Sequence, residues 1–310
     1  MPESVLADPL ARGSFDGVAA TAERPSLAFA SRVGQGVNIG QAWDLAAGAP
    51  LGPPIPDFPA DRADWAFGLP AGSPIVAWTH RDRLHVHDLG TGRELTLDAQ
   101  PDLVGLTVHH GRGAVVAVFG PANDAEVAVW DALTGDRLAG FHLWLGHRSA
   151  IGRRLLHATP AAGPITGLTG DSAVTLLDLE RGEEIATAPS RAPSASLPPA
   201  TALTPSPDGL VLLYPAPEGL GVHGLDGDRL ATLSTPAPCD HVAAALVDGH
   251  LLVAAALQDA PDTLLAWNAA SPAPSHRVRL PAPANDLSLA PDGTLLAATD
   301  TALYTACLRT

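Results

Sequence analysis

The sequence predicts an all-β fold, a seven-bladed β-propeller of four-stranded antiparallel blades, on three observations. Thirty Gly and thirty Pro are spread through 310 residues so that no helix-length segment is free of them, which favours many short elements joined by turns. The segment "VAVWDALTGDRL" (127–138), an alternating apolar run, a Trp-Asp pair, a Thr-Gly turn and a second apolar stretch, recurs along the chain. Upstream of each copy stands a Gly-containing pair between two apolar runs. That is a hairpin signal, because Gly accepts the positive φ such turns need.

In order, the repeat segments are "QAWDLAAGAPLG" at 41, "HVHDLGTGREL" at 85, the copy at 127, "TLLDLERGEEI" at 175, "GVHGLDGDRLATL" at 221 and "LLAWNAASPAP" at 264. The Trp position is held by Trp43, His87, Trp130, Leu177, His223 and Trp267, at spacings of 44, 43, 47, 46 and 44 residues. A period of that size with several short strands is the signature of a propeller blade. The hairpin turns read "PAGSPIVAW" at 70, "HHGRGAVVAVF" at 109, "PSPDGLVLL" at 205, "LVDGHLLVAAA" at 246 and "LAPDGTLLAA" at 289. Each period is thus strand, hairpin, strand, turn, strand, turn, strand. Six segments end by about residue 280, and "NDLSLAPDGTLLAATDTALYTACL" supplies strands of a seventh. The reading is one domain over 1–310, with blades ending near 55, 98, 141, 188, 233, 280 and 310. Two stretches, "PLGPPIPDFPADRAD" at 50 and "APSRAPSASLPPAT" at 188, read as exposed connections.

Net charge is −15, and all eighteen basic residues are Arg. Phosphate binding needs a basic face that this balance does not supply, so nucleic acid is not expected as a partner. The lack of Lys fits a G+C-rich bacterial genome. Cys239 and Cys307 are too few for a disulfide framework and have no CxxC spacing, which favours a reducing compartment. The acidic N-terminus lacks an apolar core of signal-peptide length, and no apolar run approaches eighteen residues. A cytoplasmic protein without membrane contact is expected.

In these repeats the chain resembles the WD-repeat family of β-propellers, most closely at "SPDGLVLL" and "VAVWDALTGDRL". The resemblance implies that an Asp about six residues ahead of the Trp position hydrogen-bonds within its blade. Asp124 and Asp171 stand at that distance, and Asp82 and Asp262 at five. The family's Gly-His pair occurs once, as Gly146-His147. Trp43, Asp124, Trp130, Asp131, His147, Asp171 and Trp267 are accordingly expected to be frame. The resemblance also implies that the N-terminal segment, about 1–15 and within it residues 4–10, completes the last blade.

Alternation turns Trp43, Trp130 and Trp267 into the space between blades, and His87 and His223 share their register. His85 and His87 share a strand face, but with no third ligand visible neither metal nor cofactor is expected. In "PCDHVAAAL", Cys239 and His241 are two apart in an extended stretch, and a nearby His can lower a thiol pKa. Asp16, Asp64, Asp102, Asp240 and Asp286 stand near the start of a first strand, and blade 4 has Arg153 and Arg154 there. Converging on the channel mouth, these carboxylates would attract a basic peptide. The connection "FHLWLGHRSAIGRR" carries Trp144, Arg148, Arg153 and Arg154, residue types enriched at interface hot spots.

Two function classes follow. The first is a non-catalytic, monomeric scaffold presenting its upper face and channel mouth to a protein or peptide, through Trp144, Arg148, Arg153, Arg154, Asp64, Asp102, Asp240 and Asp286. No GxSxG, HExxH, P-loop or GxGxxG in a strand-to-helix setting is present. The alternative is a small-molecule enzyme or binder of hydrolase or lyase type at the channel mouth, using Asp102, Asp240, His241, Arg154 and His80.

Overall fold

The computed structural model describes residues 6–21, 26–34, 37–59, 65–120, 125–143, 155–157, 165–169, 173–189, 202–216 and 219–308. These form seven four-stranded antiparallel sheets. Blade 1 runs Ser14–Ala20, Leu27–Val33, Ile39–Asp44 and Ala49–Pro56, and blade 2 Trp65–Gly68, Ile75–His80, Arg83–Asp88 and Arg93–Leu97. Blade 3 runs Leu103–His109, Arg112–Phe119, Ala125–Asp131 and Arg137–Leu143, and blade 4 Leu155–His157, Ile165–Thr169, Ala173–Asp178 and Glu183–Pro189. Blade 5 is Ala202–Ser206, Gly209–Ala216, Gly219–Gly224 and Arg229–Ser234, and blade 6 Cys239–Val247, His250–Leu257, Ala260–Asn268 and His276–Arg279. Blade 7 takes Ala284–Leu289, Thr294–Thr299 and Ala302–Cys307, with Ala11–Arg12 as its fourth strand. Among the described residues no helix is long and apolar enough to cross a membrane.

The fourth strand of blade 7 is made at Ala11↔Leu303 and Arg12↔Ala302, with a lone bridge at Leu6↔Ala306. The two-residue ladder follows residues 4–10, of which Leu6, Ala7 and Leu10 bond to the same strand. Pro9 has no N–H to give, so residues 8–9 leave the strand between Ala7 N, which donates to Thr305 O at 3.0 Å, and Leu10 N, which donates to Leu303 O at 2.9 Å.

Blades 1, 5, 6 and 7 belong to one compact unit, Met1–Ala60 with Ala200–Thr310, and blades 2, 3 and 4 to the other, Asp61–Pro199. In each unit the core lies between successive blades. In the first, Trp43 meets Leu296, Ala298 and Leu303 of blade 7, and Trp267 meets Val211, Leu213 and Val222 of blade 5. In the second, Leu84 and Val86 of blade 2 meet Val115 and Ala117 of blade 3, with half-buried Trp130 packed against the same cluster.

Burial explains the composition of the strands. A second strand such as Arg112–Phe119 is covered on both faces, so its apolar run is continuous and built of Ala and Val. A fourth strand such as Arg229–Ser234 is an edge, and of its six residues only Leu233 is buried. This resolves "PLGPPIP" at 50, which forms the fourth strand of blade 1 rather than a connection. An edge strand tolerates Pro because its outward N–H groups need no ladder partner. The prolines nonetheless loop three residues out, since Gly40 pairs Ile55 while Ala42 pairs Leu51. Gln41 fills the gap, its Nε2 donating to Leu51 O at 3.4 Å and Gly52 O at 3.2 Å.

In every antiparallel meander the first hairpin and the turn between strands three and four fall at one end, here the turn end. The second hairpin and the link to the next blade fall at the other, the connection end.

Candidate functional site

At the turn end the repeat segment folds by one mechanism. The Asp closing the third strand bends its side chain over the turn: Asp131 Oδ1 accepts from Leu133 N at 2.8 Å and Thr134 N at 2.9 Å, while its carbonyl accepts from Gly135 N at 2.9 Å. Asp44, Asp88 and Asp178 each take two backbone N–H groups in the same way. Gly135 sits at φ 77°, a conformation costly for residues with a Cβ. Burial would raise the Asp131 carboxyl, but the N–H groups of Thr134 and Leu133 and the Arg112 guanidinium outweigh it and hold the pKa below 3.8. Asp131 is thus committed to the turn.

The connection end holds the carboxylates singled out in the sequence. In three blades the first strand opens with a β-bulge. Asp16 is skipped between Phe15↔Arg32 and Gly17↔Ser31, Asp240 between Cys239↔Leu257 and His241↔Ala256, and Asn285 between Ala284↔Thr299 and Asp286↔Ala298. The recurring position is therefore Asp16, Asp240 and Asn285. Asp286 lies one residue further, which changes its role.

Asp286 is 5% exposed, and its Oδ2 accepts from Val18 N of blade 1 at 3.0 Å while Oδ1 accepts from Leu287 N at 2.9 Å. Two residues on, Ser288 Oγ accepts from Ala20 N at 2.8 Å. A first strand is a sheet edge whose outward N–H groups lack ladder partners, and these two side chains satisfy them from the neighbouring blade. Asp286, expected at a partner surface, thus joins blade 7 to blade 1.

Asn285 Nδ2 donates to Phe15 O at 2.9 Å and to Asp300 Oδ1 at 2.8 Å. Asp16, in the same corner, has its carboxyl raised above 3.8 by burial and then by the Asp300 charge. Asp102 is exposed, and its Oδ2 accepts from Gly120 N at 2.8 Å. Asp82 Oδ1 accepts from Gln100 Nε2 at 2.6 Å, tying the second hairpin of blade 2 to the link that follows. Asp102 belongs to one compact unit and Asp240 and His241 to the other. Trp144, Arg148, Arg153, Arg154, Asp64, Asp124, His147 and Asp171 lie outside the described residues.

The thiol–imidazole pair does not form a nucleophile. The bulge at Asp240 breaks the alternation that would have set Cys239 beside His241. Cys239 packs against the apolar cluster between blades 5 and 6, and burial, with the Asp240 charge second, pushes its pKa up to about 12. A thiol in that state is protonated at neutral pH and unreactive. His80 and His85 are likewise absorbed. The His85 ring stacks on Trp78 at 5.2 Å, 6.2 Å from His80, and its Nδ1 lies 3.3 Å from Thr96 Oγ1.

No protein-family model matches this sequence, and no curated protein matches it. Many solved structures do resemble the fold, two among them being as follows. "Structure of U3-55K" superposes with a TM-score of 0.63 at 16% identity, covering 96% of each chain. "Crystal structure of RRP9 WD40 repeats" gives 0.62 at 16% identity, over 96% of this chain and 95% of that one. The chain has the fold of a WD40-repeat propeller. Within that WD40 frame the Trp position is held by packing. The second-strand residues facing Trp43, His87, Trp130, His223 and Trp267 are Ala28, Val76, Val115, Leu212 and Val253, none with a side-chain acceptor. Trp267 Nε1 accordingly has no hydrogen-bond partner among the described residues although Trp267 is fully buried. What persists of the WD40 pattern in every one of blades 1 to 4 is the capping Asp of the turn.

Proposed function

We propose that this protein is a non-catalytic scaffold whose connection end receives a protein or peptide partner of basic character. The observation that carries the reading is the division of labour among the carboxylates. Asp131 and Asp286 are consumed by the frame, whereas Asp102 is exposed and Asp16 and Asp240 are half-buried at the starts of first strands. Carboxylates grouped at strand starts in an acidic chain raise the local concentration of cationic partners. The buried, protonated thiol of Cys239 speaks against a thiol-based chemistry beside His241. The fold comparison supports a scaffold by analogy of architecture.

The test is a pull-down from the native cell with identification of what is retained, followed by the same capture with two double variants. Asp16→Asn with Asp240→Asn, both in the same compact unit, is expected to weaken retention of the principal partner about tenfold and to blunt its loss in high salt. Trp144→Ala with Arg153→Ala is expected to abolish it, with thermal unfolding shifted by no more than about 2 °C. Retention by both variants at the wild-type level would overturn this reading. A turnover assay showing loss of a chemical activity in the first variant would favour the enzyme.

A further inference from the structure

The first hairpin of blade 3 ends in two histidines that the scaffold reading leaves unused. His109 closes the first strand and is 4% exposed, with no hydrogen-bond partner for Nδ1 among the described residues. His110 and Gly111 form the tip with φ of 47° and 76°. The two imidazoles lie 4.4 Å apart, centroid to centroid. Blade 4 reaches back to this tip. Glu180 Oε1 accepts from His110 N at 2.9 Å and lies 3.4 Å from His110 Nδ1. Glu180 is itself set by the capped turn, its N–H donating to Asp178 Oδ1 at 2.9 Å. Asp178 also takes Arg181 N at 3.0 Å and lies 3.6 Å from Arg181 Nε, so its oxygens are engaged.

The charged groups that act on the His109 imidazole are His110 on its own hairpin and Asp178 and Glu180 on the blade 4 turn. Of the strands packed on Leu103–His109 from the neighbouring blades, Trp65–Gly68 has no titratable residue, while Ile75–His80 and Leu155–His157 each end in a histidine. Arg112, next on the hairpin, turns instead to Asp131 Oδ2 at 3.6 Å. The Pro70–Gly72 turn that packs on this strand has no titratable group.

We propose that this tip is an acid-released latch between blades 3 and 4, seated on Glu180 while buried His109 is neutral and unseated when His109 takes up a proton. An imidazolium in that position would be desolvated, without an acceptor at Nδ1, and beside His110. Opening the hairpin tip hydrates it. In the same movement the His110 N–H leaves Glu180, and the turn end of blades 3 and 4 becomes accessible. Burial first, and then the His110 charge, hold the His109 pKa below 6.5, against the opposing pull of Glu180 and Asp178. The open tip leaves His109 in water with its ordinary affinity for protons. Seating is therefore favoured above pH 6.5 and is lost as the pH falls through the lowered value.

Hydrogen–deuterium exchange at about pH 7.5 and about pH 5, corrected for intrinsic rates, tests the latch on the full chain. Protection of residues 107–112 is expected to fall about threefold or more at the lower pH, while the second strands of blades 6 and 7 hold theirs. His109→Gln, neutral throughout, should remove that fall, and Glu180→Gln should lower protection at both values. Equal protection at the two values in the wild type, or an undiminished fall in His109→Gln, would overturn the proposal. Should His109→Gln not fold, the imidazole of His109 can be followed by NMR in the wild type. A midpoint at or above 6.5 would equally sink the latch.

Discussion

Asp286 shows how one residue of displacement reassigns a side chain. Its carboxylate answers the edge N–H of Val18 and, with Ser288, closes the edge of the first strand of blade 1. Removing it leaves a buried donor without a partner and a cavity between blades. Asp286→Ala is expected to lower unfolding free energy by about 2 kcal/mol, and Asp286→Asn by less because the amide oxygen still accepts. Urea denaturation of the two variants distinguishes this from a surface role, which would leave both within about 0.5 kcal/mol of wild type. That a carboxylate recurs at first-strand starts is legible in the sequence. Which member is buried is not, because a β-bulge inserts a residue without any local signature, and Asp286 and Asn285 exchange places only once the ladder is formed.

At the scale of the element, the turns were the most legible part of the chain. Gly followed by an apolar run names its hairpin, and Asp followed by Gly four residues on names the capped turn. Strand edges were less so. Gly219 opens the third strand of blade 5 at φ 144°, and a Cβ there would lie 2.1 Å from the backbone oxygen of Leu233. Gly219→Ala therefore forces the third and fourth strands apart and is expected to cost about 3 kcal/mol. Gly48→Ala, also at positive φ but with nothing within 4 Å, should cost about 1 kcal/mol, so thermal unfolding should rank the two clearly. Fourth strands carry a further feature that pattern reading misses. In blades 3, 4 and 5 a register shift opposite the Trp position skips Leu138, Ile185 and Leu230. Ile185 and Leu230 are 45% and 59% exposed, which an alternation rule would have placed in the core.

For the whole molecule, burial between blades sets the response to acid. His85, His109 and His223 are each held below 6.5, in each case chiefly by burial. The unfolded chain then binds more protons than the folded one as the pH drops, so their contribution is intact above 6.5 and is lost through the lowered values. Asp131, held below 3.8, contributes above that value and is lost only under it. Urea midpoints measured from neutral to strongly acid pH are expected to fall in two stages. His223→Phe, which keeps the stack on Tyr214 (4.2 Å), should shrink only the first. A single fall confined to the carboxylate range would contradict this assignment. By itself the sequence determined the architecture, because period, turn chemistry and strand polarity are local and repeat seven times. The site is another matter. Whether Cys239 is a nucleophile, Asp286 a contact or His109 a trigger depends on bulges and on the neighbouring blade, and burial between blades is created only when the sheets pack.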